Sequence, residues 1–483
     1  LRVSRARRGV SATAPSDVLW HYNLSARHLD KLCERVDTFS VSGDGERLVV
    51  RHRDDTIVVP SSHKVDDDDP AYIRVDLTRL RRTVNPRAEW RQMFDENGRL
   101  MASHYWREDM NGVDWDSVLN RYRPLVDLCH VVDDLHDILW ETVAELNTSH
   151  SYVSASGAAG DSDMRAGLLG ADGSSGTDGA KVVRVFPGES SDPRAWSPLR
   201  AAGVAVTEGD VIVAVDGRKV GADGNLGELL EGSAGRVVEL TVRRGENERQ
   251  VAVVPMADEA PLRYHDWVAS RRRYVEEHSG GRLGYLHVPD MVSDGWAELH
   301  RQIGEATRHE GVIADVRFNH GGHTSQLVVE RLARRVVGWD YSRWYATADT
   351  YPQNAVRGPI VMVTNQWAGS DGDIVAAATQ AMGYAKVIGE RSWGGVVGID
   401  GRFDLVDGTS VTQPRYAGWY GSYGWGVENH GVDPDIVVTV SPEDWEADCD
   451  VQLDAAIAEC LRQLDDKPAA TAPELPGPAF DRC

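Results

Sequence analysis

The sequence has few cysteines and no long apolar run. Its five cysteines are widely spaced and form no CxxC pair, which argues against a disulfide framework or a zinc site and is typical of a reducing compartment. No segment approaches the roughly 18 consecutive apolar residues of a membrane-spanning helix. Residues 1–17 are basic but lack the apolar stretch of a secretory signal, and they lack an initiator Met. These features predict a cytoplasmic protein without a membrane anchor, and a sequence that is a fragment of a longer chain.

Positive charge is also scarce. There are 52 Lys and Arg against 75 Asp and Glu, so 52 − 75 gives a net charge of −23. This balance disfavours a nucleic-acid or anionic-membrane surface and favours basic ligands. The composition is otherwise that of an ordinary globular protein, and 483 residues predict about three domains.

The first half of the chain changes its pattern twice. Residues 37–60 alternate apolar and polar around the turn at 43–45, which predicts β structure typical of one propeller blade. From Pro86 the spacing of Trp, Met and Leu becomes helical, and we expect these side chains to form a core. A Gly/Ser/Asp-rich stretch at 154–179 indicates a boundary or a mobile loop. The next segment, with a helix-like "SPLRAAG" and a hairpin "EGDVIVAVDG", resembles a PDZ domain.

The last third predicts an α/β domain. Apolar strands at 311–318 and 358–364 precede amphipathic helices at 324–337 and 371–383, and "AKVIG" follows as another strand. Ligands of such units bind at the carboxyl ends of the strands. Two glycine-rich turns, "NHGGH" at 319–323 and "AGSDG" at 368–372, lie there, so we expect the functional site at this edge.

Ser370 stands in the second turn, at the start of a predicted helix. The free N–H groups of that helix end would stabilise an oxyanion, so Ser370 is a candidate nucleophile. The alternative is a helix N-cap, for which Ser is a preferred residue. Ala368 excludes the G-x-S-x-G elbow of common α/β hydrolases. A nucleophilic serine needs a base, and the 16 histidines include His150, next to Ser149, and the pair His320 and His323. That pair has no third ligand nearby, so no metal site is predicted.

Six segments, taken together and in this order, resemble the catalytic half of tricorn protease: "GYLHVPDM", "GVIADVRFNHGGHTSQLVVERLARR", "VTNQWAGSDGDI", "GERSWGGVVGI", "DGTSVTQPRYAGW" and "GWGVENHGVDPDI". The resemblance implies a cytosolic serine peptidase that cuts short peptides downstream of the proteasome. It implies no cofactor, a ring of six subunits in the full-length form, and downstream aminopeptidases as partners.

The same resemblance implies roles for individual residues. Ser370 matches the nucleophile and His150 the general base, while Ser149 and Glu428 match the groups that orient and polarise that histidine. The backbone amides of Gly322 and Asp371 match the oxyanion hole. Asp340 lies where the family places an acidic group of the specificity pocket, donated by a neighbouring subunit, which would favour cleavage after Lys or Arg.

The implied fold is multidomain α+β and α/β, with crotonase/ClpP-like βα units in the catalytic domain. Its expected parts are a β-propeller remnant (1–83), a helical domain (84–160), a PDZ domain (164–257), an α/β catalytic domain (258–464) and a disordered tail (465–483).

Two other functions remain open. A C-terminal processing peptidase shares the PDZ and α/β domains but uses a Ser-Lys pair; in this sequence Gly395 stands where that lysine would be, and Lys386 falls in a predicted strand. The second alternative is an inactive peptide-binding scaffold.

Overall fold

The computed structural model describes residues 2–3, 17–52, 55–81, 83–156, 164–221 and 224–475. Its first part contains two antiparallel sheets. The strands of the three-stranded sheet are β1 (Arg2–Val3), β2 (Val18–Asn23) and β3 (His28–Glu34). Those of the four-stranded sheet are β4 (Thr38–Val41), β5 (Arg47–His52), β6 (Asp55–Pro60) and β7 (Ile73–Val75). Each strand of the second sheet pairs with the next, as in one blade of a propeller, which confirms the predicted β segment.

Three helices follow: α1 (Pro86–His104), α2 (Trp115–Val126) and α3 (Val132–Ala144). The side chains of Asn85 and Asp114 cap the first two by accepting from amides inside the first turn. Met93, Phe94 and Leu139 are fully buried, which confirms the predicted core. After α3 the chain forms β8 (Val153–Ser154), which pairs with a strand more than 250 residues later.

The PDZ unit is a six-stranded antiparallel sheet with one short helix. Its elements are β9 (Ala171–Gly176), β10 (Gly179–Val185), β11 (Val211–Val215), β12 (Arg218–Lys219), α4 (Leu226–Leu229), β13 (Val238–Arg244) and β14 (Asn247–Val253). The strand order is β14-β13-β11-β10-β9, with β12 beside β11. The predicted hairpin is confirmed as β11 and β12, whereas "SPLRAAG" forms only a 3-10 turn because Ala201 is extended. Part of the predicted boundary loop is strand β9, and residues 157–163 of that loop lie outside the described residues.

The α/β unit is built on a parallel sheet of order β15-β16-β19-β20-β24. These strands are β15 (Leu283–His287), β16 (Gly311–Asp315), β19 (Ile360–Thr364), β20 (Ala385–Gly389) and β24 (Ile436–Val437). The helices are α5 (Ala260–His278), α6 (Ser293–Ala306), α7 (Ser325–Leu332), α8 (Asp371–Met382), α9 (Pro442–Glu446) and α10 (Val451–Asp466). Alternate residues of the central strands enter two cores: Ala314 and Met362 pack with α8, and Ile313 and Val361 with α10.

Short strand pairs surround this sheet. They are β17 (Gly338–Asp340) with β18 (Asp349–Tyr351), β21 (Gly398–Asp400) with β23 (Gln413–Tyr416), and β22 (Ser410–Val411) with β8. Leu405 and Val411 also enter the core of the three-helix region. Two contacts therefore join the segment around His150 to the C-terminal third of the chain. β8 pairs with β22, and Leu405 and Val411 pack in the core of the three helices.

Two predicted boundaries differ from the structure. The helix predicted over 324–337 ends at Leu332, because the following valines lead into β17 and the amide of Val337 donates to the carbonyl of Tyr351. The disordered tail was predicted from residue 465, but α10 continues through Asp466 and the amide of Ala470 donates to the carbonyl of Arg357. Residues 476–483 lie outside the described residues. Within the described part of the chain, no helix has both the length and the apolar character needed to cross a membrane.

Candidate active site

Ser370 lies between buried strand β19 and helix α8, at the N-cap position of the helix. Its side chain makes no capping hydrogen bond, and its backbone has φ 58° and ψ −120°. A positive φ is uncommon for a residue other than glycine and is often found at functional sites. The N-cap alternative therefore explains the position of Ser370 but neither its backbone conformation nor the missing cap hydrogen bond.

The glycine turn at 321–322 lies directly against Ser370. A Cβ atom added to Gly321, which has φ +75°, would come within 2.5 Å of the Ser370 Cβ. A Cβ added to Gly322, which has φ +148°, would come within 2.1 Å of the Met291 carbonyl oxygen. Both positions therefore require glycine. Among the described residues, the N–H groups of Gly322 and Asp371 donate to no protein acceptor, so both are available to a ligand.

Asn319 holds this turn in place, and sequence reasoning missed it. Its buried side chain accepts from the Gly321 amide at 2.9 Å and donates to the Val288 carbonyl at 2.8 Å. Its own carbonyl accepts from the Gly369 amide at 3.0 Å. One residue thus connects the glycine turn to the segment immediately before Ser370. In the sequence, the only indication of this role of Asn319 was its position beside the glycines of the turn.

The side chain of Asp371 connects two helix ends. Its carboxylate accepts from the amide of Ser325, the first residue of α7, at 3.0 Å. Burial raises the pKa of Asp371, and this hydrogen bond partly opposes the effect. The backbone amide of Asp371 is predicted to belong to the oxyanion hole. It lies at the start of α8, which the Asp371 side chain joins to the start of α7.

His150, Ser149 and Glu428, to which the family resemblance assigns roles, form a connected group. The Glu428 carboxylate accepts from the amide of Ser149 at 2.7 Å and from its hydroxyl at 3.0 Å. The Ser149 hydroxyl lies 3.2 Å from Nδ1 of His150. Glu428 also accepts from the amides of Val396 and Val397, at 2.8 and 3.0 Å. The negative charge of Glu428 therefore acts on His150 through the hydroxyl of Ser149.

The surroundings of His150 fix its tautomer. Nδ1 lies 3.0 Å from the Val397 carbonyl, which can only accept, so Nδ1 carries the proton and Nε2 is the basic nitrogen. Burial lowers the pKa of His150, while the Val397 carbonyl and the charge of Glu428 partly offset this decrease. A neutral imidazole with a free Nε2 is the form that a general base requires.

Trp393 contacts both parts of the site. Its ring stands edge-on to the His150 ring, with centroids 5.5 Å apart at 78°. A Cβ atom on Gly369 would lie 2.7 Å from the same indole, and the Trp393 amide donates to the Ala368 carbonyl at 2.9 Å. The histidine and the segment that ends in Ser370 therefore share one neighbouring side chain.

Asp373 anchors the loop that carries Trp393, and it too was missed. Its buried carboxylate accepts from the Ser392 hydroxyl and from the amides of Gly394 and Gly395, the latter two at 2.8 and 3.2 Å. Burial raises its pKa, although these hydrogen bonds oppose the increase. The sequence showed an acidic first turn of α8 but not which loop it would bind.

Neither position considered for the lysine of a Ser-Lys pair, Gly395 or Lys386, supplies an ammonium group to the site. A Cβ atom on Gly395 would come within 2.2 Å of the Trp393 ring, so a side chain there is excluded by the indole. Lys386 lies in β20, as predicted, and its ammonium is 3.6 Å from a carboxylate oxygen of Asp435. Lys386 is therefore not placed as a base for Ser370, and His150 is the candidate that remains.

Neither Asp340 nor the turn histidines His320 and His323 make a side-chain hydrogen bond to Ser370, His150 or Glu428 among the described residues. Asp340 is exposed in β17, opposite Asp349 of β18, and within the described residues no hydrogen bond or ion pair joins it to Ser370 or His150. His320 and His323 belong to no cluster of three or more metal-ligating side chains in the part of the chain that the structure describes.

Three family models match this chain in the predicted order. They are the tricorn protease C1 domain over residues 86–144, the tricorn protease PDZ domain over 167–258, and peptidase family S41 over 282–438. Apart from the start of the tail, the predicted domain boundaries remain predictions. The last match makes the α/β unit around Ser370 a domain of the S41 serine peptidases.

Comparison with known proteins identifies the family to which this peptidase domain belongs. The chain is 56% identical over 467 residues to Tricorn protease homolog 1 of Streptomyces coelicolor, covering 96% of this chain and 44% of that protein. It is 35% identical over 448 residues to Tricorn protease of Thermoplasma acidophilum, covering 92% and 41%. A crystal structure of the tricorn protease superposes with a TM-score of 0.85 at 33% identity, covering 96% of this chain and 45% of the other. This chain belongs to the tricorn protease family, and it spans less than half the length of these relatives.

Proposed function

We propose that this chain hydrolyses peptide bonds as a serine-type endopeptidase, with Ser370 as nucleophile and His150 as general base. The observation that carries the proposal is the path of hydrogen bonds from Glu428 through Ser149 to Nδ1 of His150. This path joins Glu428 to Ser149, 279 positions apart in the chain, and continues to His150, whose Nε2 makes no hydrogen bond among the described residues. A helix cap or a surface carboxylate would need no such arrangement.

In this mechanism the Ser370 hydroxyl attacks the carbonyl carbon of the scissile bond as its proton passes to Nε2 of His150. The amides of Gly322 and Asp371 donate to the oxyanion that forms. His150 then protonates the amine leaving group, and the C–N bond breaks to leave an acyl ester on Ser370. A water molecule, deprotonated by Nε2 of His150, attacks the ester carbon. The C–Oγ bond then breaks, the proton returns from His150 to Ser370, and the peptide leaves as a carboxylic acid. Glu428 and Ser149 stabilise the imidazolium at each of these steps.

The substrate class follows from charge and from the family. Short peptides, such as proteasome products, are the proposed substrates, and a chain of net charge −23 favours basic ones. Asp340 is proposed to line the specificity pocket of a neighbouring subunit, which fits its exposure on a hairpin that also exposes Trp344 and Tyr345. A cytoplasmic location, a hexamer of the full-length protein and downstream aminopeptidases complete the proposal.

The test is covalent labelling. A fluorophosphonate should modify Ser370, as read by mass spectrometry of the digested chain, and His150→Ala should abolish the labelling with the fold retained by circular dichroism. Absence of labelling in the parent chain would favour the inactive scaffold. Labelling that survives His150→Ala but is lost in Lys386→Ala would favour the Ser-Lys peptidase.

A further inference from the structure

The segment 147–150, which carries His150, has an unusual backbone. His150 has φ 61°, and Asn147 at the start of the segment has φ 45°. Residues other than glycine rarely adopt this left-handed conformation, although Asn and His do so more often than most. It persists only where the surrounding contacts fix it. The contacts of this segment therefore decide where the imidazole of His150 lies.

Thr412 binds the chain on both sides of Ser151. Its hydroxyl donates to the carbonyl of His150 and accepts from the amide of Tyr152 at 2.7 Å. The backbone amide of Thr412 donates to the Tyr152 carbonyl at 3.0 Å, which extends the pairing of β22 with β8 by one residue. At His150, where the backbone is left-handed, the side chain of Thr412 supplies the hydrogen bond to the carbonyl.

The Thr412 hydroxyl also affects the surroundings of the imidazole. The ring of Tyr152 stands edge-on to the ring of His150, with centroids 5.7 Å apart at 90°. Because the Thr412 hydroxyl binds the backbone of both residues, it sets the spacing of the two points from which these rings project. Nδ1 of His150 is held separately, by the Val397 carbonyl at 3.0 Å. Thr412 therefore fixes the backbone of His150, whereas Val397 fixes its ring.

Asn429 holds the other end of the segment. Its side-chain amide donates to the carbonyl of Asn147 at 2.7 Å. Its backbone amide donates to the Gly394 carbonyl at 2.7 Å, which fixes Asn429 itself. The preceding residue, Glu428, accepts from the amide and the hydroxyl of Ser149. Two consecutive residues thus bind the segment at two of its positions.

We propose that Thr412 and Asn429 are positioning residues, which hold His150 in its left-handed conformation with Nε2 directed for proton transfer from Ser370. They act through His150 and not on the substrate. A displaced imidazole would slow the chemical step and leave peptide binding unchanged, because proton transfer depends steeply on the position of the base. The inference rests on the proposed role of His150 as general base.

The test compares variants of the full chain that remove or keep one hydroxyl. Thr412→Val has nearly the shape of the parent side chain but no hydroxyl, and it should slow fluorophosphonate labelling of Ser370 about tenfold. With a fluorogenic peptide amide that has Arg before the cleaved bond, it should lower kcat about tenfold and change KM by less than about twofold. Thr412→Ser keeps the hydroxyl and should restore labelling and kcat to within about threefold of the parent chain.

Thr142→Val is the matched control. The buried hydroxyl of Thr142 in α3 donates to the Ile138 carbonyl at 2.7 Å, so this variant also loses a hydroxyl-to-carbonyl hydrogen bond, but outside the His150 segment. Its labelling rate should stay within about twofold of the parent rate. Asn429→Gly suits the φ of 61° at that exposed position and loses only the side chain. It should slow labelling about threefold, and it decides the question if Thr412→Val does not fold by circular dichroism.

Failure of the proposed function and failure of this inference give different results. If the parent chain is not labelled at Ser370, or if His150→Ala leaves labelling intact, His150 is not the base and the positioning role is wrong with it. If labelling depends on His150 but Thr412→Val and Asn429→Gly react as fast as the parent chain, the function stands and the inference is overturned. It is also overturned if Thr412→Ser is as slow as Thr412→Val, if KM rises while kcat is unchanged, or if Thr142→Val slows labelling equally.

Discussion

Glu428 accepts hydrogen bonds from both the amide and the hydroxyl of Ser149, at 2.7 and 3.0 Å. Two donors from one residue hold the carboxylate and the serine in a single relative orientation. Because that serine also lies 3.2 Å from Nδ1 of His150, the carboxylate acts on the histidine without touching it. Through this arrangement the charge of Glu428 raises the pKa of His150.

Glu428→Gln should move the acid limb of the pH profile of kcat/KM to lower pH. The charge of Glu428 raises the pKa of His150, so its removal makes the imidazole harder to protonate and keeps the base active at lower pH. The maximal kcat/KM should fall about a hundredfold, because the imidazolium formed during the reaction loses its stabilising charge. Peptide hydrolysis from about pH 4 to 9 measures both effects. An acid limb that stays in place or moves to higher pH would refute this role of Glu428.

Trp393→Ala should shift the same limb in the opposite direction. Burial is the main cause of the lowered pKa of His150, and the indole stands edge-on to its ring. Removing the indole admits water, so the pKa should rise toward its ordinary value of about 6.5 and activity at acidic pH should be lost. Trp393→Phe should give a smaller shift, and Trp445→Ala, at a Trp that is 78% exposed, should give none. Equal profiles for all three variants would contradict the account.

Gly321→Ala should abolish labelling of Ser370 and destabilise the chain more than a matched glycine substitution elsewhere. The new methyl group would lie 2.5 Å from the Ser370 Cβ, and φ +75° adds about 1 kcal/mol of strain. Gly383→Ala is a matched control, since Gly383 has φ +63° and open space where its Cβ would stand. By denaturant titration, Gly383→Ala should lose about 1 kcal/mol of unfolding free energy and keep labelling. Gly321→Ala should lose more, because the contact with Ser370 adds to the backbone strain, and should lose labelling. Full labelling of Gly321→Ala would show that the turn does not shape the site.

Asp373→Asn should reduce the free energy of unfolding by about 2 kcal/mol and lower kcat. The Asn amide group would face the N–H donors of the 394–395 turn and leave one of them without an acceptor. The control is Asp116→Asn, an exposed acidic residue in the first turn of α2, which should change stability by less than about 0.5 kcal/mol. Equal stability of the two variants, measured by denaturant titration, would show that Asp373 does not anchor the loop.

The sequence predicted the parts of the fold that have a strong local pattern. Buried strands such as β16 and β19, and the helix α8, were predicted from apolar runs and helical spacing. Strand β9 was missed because its glycines and serines carry no apolar alternation. The helix predicted beyond Leu332 was too long because pairing of β17 with β18, a tertiary contact, decides where it ends.

The site was predicted by two different routes. Ser370 and its glycine turn are recognisable locally, because both follow the carboxyl end of a buried strand. His150 and Glu428 come from separate segments, so their roles came from the family resemblance, and the structure shows their contacts with Ser149. Asn319, Asp373 and Trp393 were missed because their importance lies in which loop they contact, and residue type and spacing do not specify that.

The most direct measurement is a crystal structure of the fluorophosphonate adduct. The account predicts phosphorus bonded to Oγ of Ser370, Nε2 of His150 within about 3 Å of that oxygen, and a phosphoryl oxygen about 2.7–3.1 Å from the amides of Gly322 and Asp371. An adduct on another residue would contradict the account. So would an adduct on Ser370 from which Nε2 of His150, in the same chain or in a neighbouring subunit, lies beyond hydrogen-bond distance.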